Sequence, residues 1–220
     1  MPGRDSWRVM VTGIQGSGKS AWARRAVREA LGRRPVVTCS TKPTDYGDVV
    51  GVVVRIREPV TAYDPAQLAD LIRQKRRLAF VLTRIEDMDS RPAFAERLAL
   101  AVEQVPGTLL VIDEAHLFVP QGKDRPGVLG LLTGGRELGI DWICVTQHAQ
   151  LVSLTVTREA NTFVVFAASN PTDAAYIARY AEAVPQEVQR LRPGEYLFRR
   201  QGDPQLLRGR LDLAAEYGGA

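Results

Sequence analysis

The residues best suited to chemistry are one glycine-rich octet, Gly13-Ile14-Gln15-Gly16-Ser17-Gly18-Lys19-Ser20, and one acidic pair, Asp113-Glu114. The octet fits the pattern GxxxxGK[ST]. Its glycines let backbone N–H groups turn inward around a β-phosphate, and a helix starting at its end adds partial positive charge. In that arrangement Gly13, Gln15, Gly16, Ser17, Gly18, Lys19 and Ser20 contact the nucleotide. Lys19 bridges the β- and γ-phosphates, and the Ser20 hydroxyl ligates Mg2+. The ligand expected is therefore ATP with Mg2+. The acidic pair ends the apolar run Leu109-Leu110-Val111-Ile112, and parallel sheets bind ligands at such strand ends. Asp113 is expected to hold Mg2+ through its water, and Glu114 to act as general base on the attacking water. A pair of this kind suits hydrolysis, whereas a kinase must keep water out.

These groups need a strand before the octet, a helix after it and a parallel sheet around both. Residues 7–12 read as the strand and 19–31 as the helix. Further strands are expected at 35–40 (PVVTCS), 49–56 (VVGVVVRI), 78–83, 108–113, 141–146 and 162–168. Leu68, Leu71 and Ile72 mark a helix over 65–74, and Phe94, Leu98 and Val102 mark another over 91–104. Helices are also expected around 128–138 and at 171–181 and 185–191, with a closing hairpin of 195–200 and 206–211. The alternation predicts an α/β fold with a mostly parallel central sheet flanked by helices. No linker divides the chain, so residues 1–220 read as one domain.

The 220 residues are 45% hydrophobic and 25% charged, ordinary values for a chain that buries its own core. No apolar run approaches the ~20 residues of a membrane helix, and the first ten residues lack the apolar core of a signal peptide. A cytoplasmic location is the expectation, with Cys39 and Cys144 as buried thiols. The net charge of +4 rests mainly on arginine, since only Lys19, Lys42, Lys75 and Lys123 are lysines. Arginine suits phosphate oxygens, which permits a nucleic-acid partner without assigning one.

The run Gly134-Gly135-Arg136-Glu137-Leu138-Gly139-Ile140, followed by an apolar strand ending in Thr146-Gln147, resembles the HerA–FtsK superfamily of motor ATPases. So do Arg158-Glu159-Ala160-Asn161-Thr162, Asn170-Pro171-Thr172-Asp173-Ala174 and the LRPGE string 191–195. The resemblance covers residues 9 to about 198. It implies a RecA-like P-loop NTPase fold with Gln147 sensing the γ-phosphate. Taken alone, Gln147 could equally cap a strand end. The resemblance also makes Arg136 the arginine that stabilises the transition state, with Arg158 and Arg179 as alternatives acting across a subunit boundary. The string Asp113-Glu114-Ala115-His116 is similar to that of DEAH helicases. Those enzymes need a second motor domain, so His116 reads as a local structural or coupling residue.

Superfamily members form rings, hexamers most often, with a pentamer the other option. Lysines and arginines on pore loops would then grip double-stranded DNA without reading its sequence. Residues 120–126 (PQGKDRP), with Lys123 and Arg125, are the candidate pore loop; a solvated surface loop is the alternative. Cellular HerA proteins carry a β-barrel, and FtsK carries membrane spans and a winged helix. None is visible in this sequence, whose phosphate loop begins at residue 13. The resemblance therefore extends to the genome-packaging ATPases of membrane-containing tailless viruses. It implies a host-cytoplasmic or virion-vertex location and a capsid or membrane vertex protein as a further partner. An ATPase for DNA or protein export and a non-hydrolysing nucleotide-gated assembly factor are the other readings.

Overall fold

Residues 9–11, 109–112 and 143–145 are apolar without alternation, and both faces of each run are buried. Strands of this type belong at the centre of a parallel sheet with helices on both sides. The computed structural model describes residues 6–42, 46–83 and 87–217. In chain order its strands are β1 (Arg8–Thr12), β2 (Val36–Ser40), β3 (Val53–Arg55), β4 (Arg77–Val81), β5 (Leu109–Asp113), β6 (Asp141–Thr146), β7 (Thr162–Val165), β8 (Glu195–Arg200) and β9 (Leu207–Arg210). Among the described residues they form one sheet in the order β3-β4-β2-β5-β6-β1-β7-β8-β9. The pairs from β3 to β7 are parallel, whereas β8 and β9 run antiparallel. The α/β expectation holds, closing hairpin included.

Register places the chemistry. Thr12 at the end of β1 pairs with Thr146 at the end of β6, and Asp113 at the end of β5 pairs with Val145. The phosphate loop, the acids and Gln147 therefore emerge together along one edge of the sheet.

One face carries α1 (Lys19–Ala30) and α2 (Gly47–Val50), packed on Val9, Val11, Val111, Ile143 and Val145. The opposite face carries α3 (Pro65–Lys75), α4 (Ser90–Glu103), α6 (Pro126–Gly134) and α8 (Pro171–Ala181). They bury Phe80, Phe94 and Trp142 among others. The remaining helices are short: α5 (Ala115–Phe118), α7 (Leu154–Glu159), α9 (Pro185–Gln189) and α10 (Leu213–Tyr217). Cys39 and Cys144 are unpaired, and burial pushes both thiols up, that of Cys144 to about 12.

Two expectations need correction. Residues 49–56 are not one strand: 47–50 coil into α2, and only 53–55 pair with β4. Gly51 adopts φ 80°, a left-handed conformation that ends the helix before the chain turns into the sheet. The helix expected over 128–138 starts two residues earlier, behind Pro126, and gives way to a tighter 3-10 turn over Gly135–Leu138. Gly139, at φ 66°, closes that turn. Segments α5, α7 and α10 carry too few residues for periodicity to reveal them.

Candidate active site

The loop after β1 depends on two glycines. Gly13 has φ 149°, and a methyl group there would lie 2.6 Å from Phe166 Cβ. Gly18, at φ 114°, is the N-cap of α1 and contributes no side-chain bond to it. The first turn of α1 holds no acidic residue, so no side chain neutralises the unpaired N–H groups that begin the helix. Such an end accepts an anion. The Ile14 carbonyl accepts from Ser17 N–H at 3.3 Å, from Ser17 Oγ at 2.7 Å and from Lys19 Nζ at 2.7 Å. The ammonium of Lys19 thus lies inside the loop, only 6% exposed. Burial lowers its pKa from 10.5 to about 8, against the raising influence of Asp113 and Glu114.

Across this loop, Asp113 Oδ2 accepts from Ser20 Oγ at 3.1 Å and from the Tyr46 hydroxyl at 3.0 Å. Asp113 Oδ1 accepts from Glu114 N–H at 2.8 Å. Burial first, and the charge of Glu114 second, push the Asp113 carboxyl above its ordinary range. A cation placed between Ser20 and Asp113 would reverse that cost. The donor set, one hydroxyl and one carboxylate beside a phosphate cradle, is the oxygen-only chemistry that Mg2+ prefers.

Glu114 is bent out of the strand at φ 56°, ψ 47°, a left-handed conformation that costs a non-glycine residue about 1–2 kcal/mol. Its Oε1 accepts from Gln147 Nε2 at 2.8 Å and lies 3.5 Å from Lys42 Nζ. Its Oε2 is buried without a hydrogen-bond partner, 3.6 Å from His116 Nδ1. The carboxylate is thus held through one oxygen, while the other keeps an unused acceptor site.

A further layer lies behind this pair. His116 Nδ1 is 3.1 Å from Thr146 Oγ1, which also accepts from His148 N–H at 3.1 Å. The two imidazoles meet edge to face at 5.1 Å. Burial first, against the raising charge of Glu114, lowers the His116 pKa below the ordinary imidazole value.

The structure brings together Gly13, Gly16, Ser17, Gly18, Lys19, Ser20, Asp113, Glu114 and Gln147. Gln15 lies exposed in the same loop. Arg136 is not in this cluster: it is exposed in the turn before β6, at the opposite edge of the sheet from its own phosphate loop. Arg158, before β7, also lies at that edge, and Arg179 is exposed near the end of α8. Lys123 and Arg125 sit in the loop between α5 and α6. Lys123 Nζ meets Asp89 Oδ1 at 2.7 Å, with both side chains more than half exposed. This loop is tied to the segment after Gln147 by a Pro120–Val152 bridge and by Gln121 N–H donating to the Leu151 carbonyl at 2.8 Å.

Sequence reasoning did not single out Thr146 and His148, and it reached Lys42 and Tyr46 only as part of the 41–48 segment (TKPTDYGD), expected to approach the nucleotide or a neighbouring subunit. Tyr46 and Lys42 follow β2, and the rule that parallel strands deliver function at their C-terminal ends could have found them. Residues 43–45 of the 41–48 segment lie outside the described residues. Asp48 is paired with Arg24 of α1, which fastens that segment beside the phosphate loop.

No family model matches the chain. A probable helicase of Methanocaldococcus jannaschii is 34% identical over 84 residues, 37% of this chain and 16% of that protein. The DNA double-strand break repair helicase HerA of Pyrococcus furiosus is 25% identical over 83 residues, 36% of this chain and 15% of HerA. The chain thus matches less than a fifth of these relatives' length. The genome-packaging NTPase B204 of Sulfolobus turreted icosahedral virus 2, in complex with AMPPCP, superposes with a TM-score of 0.72 at 17% identity, over 94% of this chain and 98% of B204. The bacterial conjugative coupling protein TrwB superposes at 0.69 and 13% identity, over 94% of this chain and 85% of TrwB. Sequence relatives and structural neighbours alike lie where the motifs pointed, among HerA–FtsK-type proteins, and the chain has the RecA-like P-loop NTPase fold.

Proposed function

We propose that this chain is an ATP-hydrolysing motor of the HerA–FtsK superfamily that translocates double-stranded DNA, in the service of viral genome packaging. The observation that carries the hydrolytic reading is the Glu114–Gln147 hydrogen bond beside the Ser20–Asp113 pair. It joins a base, a γ-phosphate sensor and a cation site at one sheet edge. The helix N-terminus and Lys19 bind the phosphates. Ser20 and Asp113 would hold Mg2+, which would neutralise charge on the phosphate oxygens. Glu114 takes the proton from water, and the Gln147 bond orients its carboxylate while it does so.

Gln147 leads directly into residues 148–153, which pair with the 119–121 strip before Lys123 and Arg125. A change at the γ-phosphate therefore has a short hydrogen-bonded route to two cations suited to DNA phosphates. The Lys123–Asp89 pair is exposed and worth little, so DNA displaces Asp89 at small cost. Arg136 faces away from its own nucleotide and can serve only the site of a neighbouring subunit, as a head-to-tail ring would arrange. A hexamer fits this reading, with a pentamer as the other closure.

The packaging role is supported by likeness to B204 over nearly the whole of both chains. A second reading, an ATPase for conjugative export, is favoured by the similar superposition on TrwB. The deciding experiment measures the ATPase rate with and without double-stranded DNA together with solution mass. A ring whose turnover ignores DNA removes the translocase reading.

A further inference from the structure

The Glu114 carboxylate is gripped from both flanks of its strand. In the sheet β5 lies between β2 and β6. Gln147, which follows β6, donates to Glu114 Oε1 at 2.8 Å. Lys42, which follows β2, brings its ammonium to 3.5 Å from the same oxygen. The two grips differ in strength. The lysine contact is longer than the ~2.7–2.9 Å of a charge-assisted hydrogen bond, and the Lys42 side chain is 55% exposed against 11% for Glu114. An ion pair of that kind is easily exchanged for a better one.

The register of β2 places Lys42 there. Cys39 pairs with Ile112 of β5, so the residues just past the end of β2 come alongside those just past the end of β5. Ser40 Oγ donates to the Lys42 carbonyl at 3.0 Å, which holds the main chain at that point. Further on, Tyr46 donates to Asp113 and Asp48 pairs with Arg24 of α1. The main chain is tethered at 42 and again at 46–48, while the Lys42 side chain reaches out into solvent. Its ammonium also neighbours the phosphate loop. Burial lowers the Lys19 pKa most, and the charge of Lys42 lowers it further. Two lysines and the two carboxylates of Asp113 and Glu114 therefore border one space.

We propose that Lys42 is a second lysine for the γ-phosphate, exchanged between that phosphate and Glu114 as nucleotide comes and goes. This rests on the phosphate-site reading proposed above. With ATP bound, Lys42 leaves the single charge of Glu114 for the greater charge of the terminal phosphate. Its departure takes a cation away from Glu114, and a carboxylate without a neighbouring cation is a stronger proton acceptor. ADP reaches Lys19 and lacks the group that draws Lys42 across, so Glu114 stays paired. Lys42 thus tells ATP from ADP and ties the readiness of the base to the γ-phosphate.

The test measures Mg-ATP and Mg-ADP affinities by calorimetric titration, together with steady-state hydrolysis, for the wild type, Lys42→Met and Lys42→Arg. Methionine keeps most of the side-chain length without the charge, and unchanged ADP binding shows that the variant is folded. Lys42→Met is expected to lose about tenfold or more in ATP affinity, the scale of one contact to a charged group, and to hold ADP within about twofold of the wild type. Its turnover at saturating ATP should fall at least about tenfold, as on loss of one donor to a transition-state oxygen. Lys42→Arg keeps the charge and should recover most of the ATP affinity. Equal changes for ATP and ADP, or no change for either, overturn the role of Lys42 and leave the phosphate site standing. So does wild-type turnover in Lys42→Met, or ATP affinity in Lys42→Arg no better than in Lys42→Met. Wild-type protein that binds neither nucleotide removes the phosphate site and the role of Lys42 together.

Discussion

Gln147 Nε2 donates to Glu114 Oε1 at 2.8 Å, joining the ends of β6 and β5 directly above the acid that holds Ser20. The bond makes the strand-end glutamine and the proposed base one unit. Glu114 Oε2 is left buried and without a hydrogen-bond partner.

Lys19→Ala is expected to abolish ATP binding, because it removes the only ammonium inside the loop among the described residues. Glu114→Gln keeps the Gln147 bond and the loop intact, so it should bind ATP normally while turnover stops. Equilibrium binding and steady-state hydrolysis separate the two. Comparable loss of affinity in Glu114→Gln would undo the assignment of roles.

Arg136→Ala should leave ATP affinity near normal and lower turnover about 10^3-fold, the lower end for arginine fingers. Since Arg136 lies at the far edge of its own sheet, rings mixed from Arg136→Ala and Glu114→Gln subunits should regain part of the activity. Where an Arg136→Ala subunit supplies the site and a Glu114→Gln neighbour supplies the arginine, an intact base meets an intact arginine. Absence of rescue would retire the trans assignment.

Nucleotide binding should depend on pH through Lys19. Its pKa in the ligand-free protein is lowered to about 8 from the ordinary 10.5. Between these values folding releases a proton, so the ligand-free fold gains stability as pH rises through the window and loses it as pH falls through about 8. Phosphates beside the ammonium favour its charged form and raise the pKa again. ATP binding should therefore take up a proton above about pH 8 and weaken as pH climbs, by at most about tenfold per unit. Below that pH the group adds no dependence. Calorimetry in buffers of different ionisation enthalpy at about pH 7 and about pH 9 reads the uptake directly.

Tyr46→Phe removes one of the two hydroxyl donors to the buried Asp113 Oδ2 without changing the shape of the core. Loss of a hydrogen bond to a charged group should cost about 1.5–3 kcal/mol of stability in nucleotide-free protein. Urea unfolding with and without Mg-ATP would show it, and a stability unchanged within error would detach Tyr46 from the cation site.

Lys123→Ala with Arg125→Ala should flatten the salt dependence of DNA binding, since each phosphate contact contributes close to ~0.9 to the log–log slope. Basal hydrolysis should persist while stimulation by DNA is lost. An unchanged slope with stimulation preserved would place the DNA contacts on other arginines.

The octet and the acidic pair were legible because their chemistry is contiguous. The glycines must share one turn, and the apolar run before Asp113 can only be a buried strand. The strand–helix alternation likewise determined the parallel sheet, and Gln147 was within reach because it directly follows a strand of six buried residues. What lay beyond the sequence was whatever depends on strand order. Tyr46 reaches Asp113 across 67 residues only because β2 neighbours β5. Val50 buries itself in a helical turn, although the run around it has the β-branched composition of a strand; packing on the sheet face outweighed the propensity. The edge on which Arg136 emerges, and the closure of the 191–195 loop against Ser17, follow from the direction of β6 and from the antiparallel turn of β8. Local residue patterns carry the shape of each element, and only the tertiary structure decides which ends of those elements meet, because hydrogen-bond register and face-to-face packing act between segments far apart in the chain.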